Sequence, residues 1–92
     1  MSSIQVYIDY PQENERVESN LYTFRIGTVP EASRVEVSVD GGSWLVCRPG
    51  AGYWWHDWIG FDPGEHVVRA RGFAHDGSHA ESKPRRFRRV RP

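Results

Sequence analysis

Apolar and polar residues alternate with a period of two along several short stretches, and no stretch sustains a 3.6-residue period. Ile4, Val6 and Ile8 alternate with Gln5 and Tyr7, a first strand that stops at Asp9-Tyr10-Pro11. A polar stretch follows, with Val17 as its inward candidate; then Tyr22, Phe24 and Ile26 alternate with Thr23 and Arg25. Residues 29–33 read as a loop. Val35, Val37 and Val39 alternate with Glu36 and Ser38, the cleanest such pattern in the chain. Asp40-Gly41-Gly42 comes directly after, and Asp-Gly predicts a tight hairpin because it accepts positive φ angles. The return strand is expected over residues 44–47, ended by Pro49-Gly50-Ala51-Gly52.

Residues 53–58 form the next predicted strand, with Asp62-Pro63-Gly64 as its turn. Over residues 66–74, Val68, Ala70 and Gly72 share one face while Val67, Arg69, Arg71 and Phe73 share the other. Asp76-Gly77 turns the chain again. The last segment, around Phe87 and Val90, is expected at a sheet edge because Pro84 cannot donate to a ladder. Seven or eight short strands broken by Gly and Pro predict an all-β, antiparallel β-sandwich. Its core is expected to hold Ile4, Val6, Ile8, Tyr22, Phe24, Ile26, Val35, Val37, Val39, Trp58, Val68 and Ala70.

Composition supports this. The chain has 92 residues, a length for one domain over 1–92. It carries ten Val, four Ile and twelve aromatics against two Leu, so β-formers dominate. Its zero net charge hides an asymmetry: residues 1–82 hold 6 basic and 12 acidic groups, net −6, and residues 83–92 hold six basic groups, net +6. No apolar run approaches the ~18 residues of a membrane helix. The start, Met-Ser-Ser-Ile-Gln-Val, has neither a basic region nor an apolar core and reads as no secretory signal. A whole chain of this kind is expected in the cytoplasm, and one excised from a longer secreted protein outside the cell. Cys47 stands alone, so no internal disulfide forms.

Residues 4–77 resemble the bacterial Ig-like domains found in tandem in surface and secreted proteins. The likeness is carried by Pro11 after the first strand, by the VEVSVDGGSW run from Val35 to Trp44, and by the aromatic strand ending in Trp58. Pro63-Gly64-Glu65-His66-Val67-Val68-Arg69-Ala70-Arg71 and Asp76-Gly77 complete it. The pattern is also similar to the Ig-like dimerisation domain of sulfite-oxidase-type molybdenum enzymes. The resemblance implies a fold and no activity. The chain departs from it at Gly72-Phe73-Ala74-His75, where an Asp is usual, and in its Arg-rich end.

Catalytic chemistry finds no footing. His75 and His79 flank an Asp-Gly turn, where their spacing does not make the rings converge, and a zinc site needs three or four ligands. His56 and Asp57 are adjacent in a strand and point to opposite faces. His66 opens a strand and reads as a structural hydrogen-bonder. Cys47 and its cationic neighbour Arg48 also face opposite ways, so the thiol is expected to be unreactive. There is no Gly-x-Ser-x-Gly elbow and no phosphate-cradling glycine loop. The expectation is a protein that is not an enzyme and takes no metal or cofactor.

The aromatic strand carries the functional reading. Tyr53, Trp55 and Asp57 share one face, and Trp54, His56 and Trp58 the other. The resemblance implies that Trp58 points inward, which turns Tyr53 and Trp55 outward as contact residues. Trp44 is a secondary candidate, read as core or turn packing ahead of a contact. The function predicted is a non-enzymatic protein-binding or assembly module, engaging a partner or a second copy, with open sheet edges available for strand addition. The alternative is a carbohydrate-binding module in which Tyr53 and Trp55 stack on a glycan and Asp57 bonds its hydroxyls. Arg85, Arg86, Arg88 and Arg89 are read as a charged guard of an edge or a contact for an acidic partner. Nucleic acid is disfavoured by the acidic body.

Overall fold

The computed structural model describes residues 4–91; Met1, Ser2, Ser3 and Pro92, including the Met-Ser-Ser start used above, lie outside the described residues. The strands are β1 (Gln5–Tyr10), β2 (Glu15–Val17), β3 (Leu21–Val29), β4 (Arg34–Val39), β5 (Leu45–Val46), β6 (Arg48–Gly50), β7 (Tyr53–Ile59), β8 (Gly64–Phe73), β9 (His79–Glu81) and β10 (Arg85–Arg89). They form two sheets, one ordered β1-β3-β7-β6 and one ordered β2-β10-β8-β4-β5, with β9 also paired to β8. All pairs are antiparallel except β2 with β10. The expected Ig-like β-sandwich is the fold; the strand number among the described residues rises to ten because pieces of two or three residues pair as well.

The alternating runs become the facing inner surfaces. Phe24, Ile26, Val35, Val37, Val68 and Ala70 are fully buried, and Val6, Tyr22, Trp54 and Trp58 pack against them. Gly72 sits where β8 approaches β1: a Cβ there would lie 2.9 Å from Val6 Cγ2 and 3.5 Å from Ile4 Cδ1. Gly72, in the stretch where the chain departs from the Ig-like pattern it resembles, therefore lets these strands pack this closely.

Three local expectations are corrected. The return strand ends at Val46, and the chain crosses between sheets at Cys47, whose N–H donates to the Val35 carbonyl (2.8 Å). Pro49 and Gly50 do not stop a strand; they belong to β6, and the turn into β7 is made by Ala51 and Gly52, both at positive φ. The C-terminal strand is not an edge. β10 lies between β2 and β8, and Phe87, 1% exposed, packs on Phe24, Phe61, Tyr22 and His66. Pro84 does not bar this, because it falls in the gap between β9 and β10 on the same side of β8. There Ser82 bonds Ala70 in both directions: its N–H donates to the Ala70 carbonyl (2.7 Å) and its hydroxyl accepts the Ala70 N–H (3.0 Å).

The Asp-Gly hairpin is as expected: Asp40 and Gly41 have φ of 53° and 73°, and the Gly42 N–H donates to the Val39 carbonyl (2.9 Å). A Cβ on Gly41 would touch nothing within 4 Å, so only the backbone conformation penalises a side chain there. Gly41→Val should therefore lower unfolding stability by about 1–3 kcal/mol, measured by urea titration.

The carboxylate of Asp40 also ties the hairpin to β8, accepting from the Val67 N–H (2.9 Å) and bonding His66 Nδ1 (2.6 Å), while His66 Nε2 lies 2.6 Å from the Asp62 carbonyl. Burial alone would lower the pKa of this ring, but the Asp40 and Asp62 bonds outweigh it and the pKa is raised. A raised folded pKa adds stability that is complete below the unfolded value near 6.5 and lost as pH rises through the folded one. With Asp40 half exposed, the increment is screened to about 1 kcal/mol or less. The melting temperature should fall between pH 6 and pH 8 in wild type, and His66→Gln should flatten that slope.

Candidate functional site

Register sets what the four-stranded sheet shows to solvent. Residues directly opposite in a ladder share a face. Tyr10 and Trp55 flank Arg25, Asp57 pairs with Thr23, Ile59 with Leu21, Tyr7 with Gly27 and Gln5 with Val29. Because Phe24, Ile26, Trp54 and Trp58 point inward, all of these point outward. The inward turn of Trp54 and Trp58, and the outward turn of Tyr53, Trp55 and Asp57, are as the sequence implied.

Arg25 is the centre of the outer face. It pairs with Asp9, and its guanidinium lies over the rings of Tyr53 (4.4 Å), Tyr10 (4.7 Å) and Trp55 (5.9 Å). Tyr53 and Trp55 meet edge to face at 6.1 Å, and Trp55 Nε1 donates to the Gly50 carbonyl (2.8 Å). These two rings are half-buried under the arginine and not freely exposed, a correction to the simple outward reading. Asp57 accepts from Thr23 Oγ1 (2.7 Å) and from Arg48 (3.3 Å), and the Thr23 hydroxyl, then Arg48, hold its carboxyl below the usual range. On β3, Gly27 leaves room for the Tyr7 ring, since a Cβ there would come within 2.1 Å of Tyr7 Cζ.

Around this centre lie apolar side chains open to solvent. Among the described residues, six large apolar side chains are exposed: Tyr7, Tyr10, Leu21, Val29, Val46 and Ile59. All but Val46 belong to the outer face of this one sheet. A shallow cleft of about 370 Å³ adjoins it at the β6–β7 end, lined by Thr28, Glu31, Pro49, Gly50, Gly52, Tyr53 and Trp54. Sequence reading missed Tyr7, Tyr10 and Arg25 as members of the face. Their signal was present in the outward parity of Tyr7 and Arg25, but joining them to Trp55 needs the strand order.

The other candidates lie elsewhere. Trp44 is on the opposite sheet, where the Arg71 guanidinium covers it at 4.1 Å. Arg71 and Arg34 both pair there with Glu36, whose side chain is 7% exposed. Burial pushes the Glu36 carboxyl up, the two arginines pull it down, and the net is a lowered pKa. The arginine cluster is split by strand parity. Arg85 and Arg89 share the Phe87 side of β10, where Arg85 donates to the Pro11 carbonyl (2.8 Å) and Arg89 to the Val90 carbonyl. Arg86 and Arg88 face outward, Arg86 on Glu13 (2.9 Å) and Arg88 3.8 Å from Glu65.

Cys47 is buried, and burial first, then Glu36, pushes its thiol up to about 12. A thiol at that value is almost wholly protonated at pH 8, so iodoacetamide should leave the native protein unlabelled and modify Cys47 only after denaturation. His75 is exposed in the Asp76-Gly77 turn, whereas His79 lies in β9 and stacks on Phe73 at 5.8 Å.

No protein-family model matches the chain, and no curated protein matches it in sequence. Solved structures do match in fold. The chain is similar to an engineered protein (21% identity, TM-score 0.76), covering 96% of this chain and 20% of that one. It is similar to the fibronectin(III)-like modules of Clostridium thermocellum CbhA (22% identity, TM-score 0.70), covering 92% and 94%. A third likeness is to a modular endo-β-1,4-mannanase of Cellulomonas fimi (20% identity, TM-score 0.73), covering 96% and 19%. The chain thus spans about a fifth of two of these proteins and nearly all of the third. At these identities the likeness carries the fold alone: an Ig-like β-sandwich.

Proposed function

We propose that this domain is a non-enzymatic protein-binding or assembly module that uses the outer face of the four-stranded sheet. The observation that carries the reading is the segregation of exposed apolar side chains, five of six on that face, around the Arg25–Tyr53–Trp55 centre. Aromatic and arginine side chains ringed by apolar ones make the composition of an interface centre. The hydrogen-bonding groups at the centre are largely engaged within the chain: Trp55 with Gly50, Asp57 with Thr23 and Arg48, Arg25 with Asp9. Such a face gains more from being covered by apolar surface than from new polar contacts. That the solved neighbours include a module of a larger, modular enzyme is in keeping with a packing role.

Glycan binding is the second reading, favoured by the cleft whose lining includes both Tyr53 and Glu31 and by the mannanase from which one neighbour comes. Against it, the Arg25 guanidinium lies over the rings a sugar would use. Sedimentation equilibrium tests the first reading and tryptophan fluorescence titrated with soluble polysaccharides the second. The expected outcome is concentration-dependent self-association, lost in Tyr53→Ser, Trp55→Ser, with no spectral shift on any glycan. A glycan-induced shift in a protein that stays monomeric would reverse the choice.

A further inference from the structure

An exposed strand edge presents unpaired main-chain groups, and native sheets blunt their edges with short strands, proline or charge. Among the described residues, the sheet edges other than β1 are blunt: β2, β6 and β9 have three residues each, β5 has two, and β6 contains Pro49. β1 is different. It is six residues long, contains no proline or lysine, and pairs on one side only, with β3; its register shifts between Ile8 and Tyr10, and its one charge, Asp9, is paired with Arg25. Beside its free side runs a groove of about 230 Å³ lined by Val6, Tyr7, Ile8, Ser82, Lys83 and Arg85. The apolar wall of the groove belongs to the edge strand, and the cationic wall to Lys83, in the segment joining β9 to β10, and to Arg85, which opens β10.

We infer that the β1 edge is a strand-addition site for an extended peptide that alternates apolar and acidic side chains. An added strand would continue the sheet, so its residues alternate between two faces. Those on the outer face would stand beside Tyr7 and Tyr10, which are 44% and 38% exposed, and apolar side chains fit there. Those on the inner face would point into the groove toward Lys83 and Arg85, and carboxylates fit there. Arg85 already reaches the Pro11 carbonyl and lies 3.8 Å from Glu13, so its charge is partly used. The Lys83 ammonium pairs with no carboxylate among the described residues, and it supplies the charge that selects. The site borders the sheet face of the proposed function at Tyr7 and Tyr10 but rests on the β1 edge and its groove, so it does not depend on that reading.

The test uses the whole chain carrying Tyr53→Ser and Trp55→Ser, which keeps association through the sheet face out of the measurement. Three capped heptapeptides serve as probes: one alternating valine and glutamate, one alternating valine and lysine, and the first with N-methyl groups on alternate amides. Amide hydrogen exchange and anisotropy of labelled peptide are read together. The glutamate peptide is expected to protect alternate amides within residues 5–9. The lysine peptide should bind roughly tenfold more weakly, attraction having become repulsion, and Lys83→Glu should invert that order. N-methylation of the edge-facing amides should abolish binding. The proposal is overturned if β1 amides stay unprotected, if both charge types bind alike, or if Lys83→Glu changes neither. It is also overturned if β1 amides become protected with rising protein concentration and no peptide, since the occupant would then be a second copy.

Discussion

Deletion of residues 83–92 is expected to abolish the cooperative unfolding transition. The segment looks like a charged tail in sequence, but it supplies β10, the strand between β2 and β8. Without it, β2 loses its ladder partner and the Gly64–Val68 stretch of β8 becomes an open edge. The aromatic cluster around Phe87, with Tyr22, Phe24, Phe61 and His66 at 5.5–6.4 Å, is left facing water. Phe87→Ala alone should cost roughly 3–5 kcal/mol, a large part of the ~5–15 kcal/mol that holds a domain together. Circular dichroism melts of both variants decide the matter. A deletion variant that melts cooperatively near the wild-type midpoint would mean that β10 is dispensable and the strand order wrong. Any role of the arginines is therefore to be probed by Arg86→Glu and Arg88→Glu, which face outward and leave the core intact.

The second large effect separates the two sides of β7. Trp54→Ser, Trp58→Ser should leave no folded protein, because both rings pack on the core and each removal costs up to about 3–5 kcal/mol. Tyr53→Ser, Trp55→Ser should remain folded at a cost of about 1.5–3.5 kcal/mol. That cost collects two Arg25–ring contacts at ~0.5–1 kcal/mol each and one hydrogen bond at ~0.5–1.5 kcal/mol. Two-dimensional amide spectra of the two variants, one dispersed and one collapsed, are the expected result. The reverse would place Trp54 and Trp58 on the contact face.

What the sequence showed and what it hid divide along locality. Alternation within a strand is local, so the inward residues of β1, β3, β4 and β8 could be read directly, and so could the Asp40-Gly41 hairpin. The parity of residues 53–58 was readable too, once Trp58 was fixed inward. Neighbour relations between distant strands were not. Nothing near Phe87 in the chain announces that β8 lies on one side of it and β2 on the other. The same limit hid the outer face of the four-stranded sheet, whose centre draws Tyr10, Arg25 and Trp55 from three strands. Glu36 and Ser38 looked like a solvated face; they are buried because Arg34 and Arg71 close over Glu36, while the Ser38 hydroxyl turns to the Gly42 carbonyl (2.7 Å). Tertiary cover overrides a strand's own polar pattern.

The central claim is that the outer face of the four-stranded sheet is a surface made to be covered by protein. Sedimentation equilibrium of the wild-type chain over a wide concentration range tests it most directly, with Tyr53→Ser, Trp55→Ser alongside. The account predicts a weight-average mass that climbs from 10.6 kDa as wild-type concentration rises, while the folded variant stays at the monomer value. A wild-type mass that stays at 10.6 kDa throughout, or a variant that associates as readily as wild type, would contradict it.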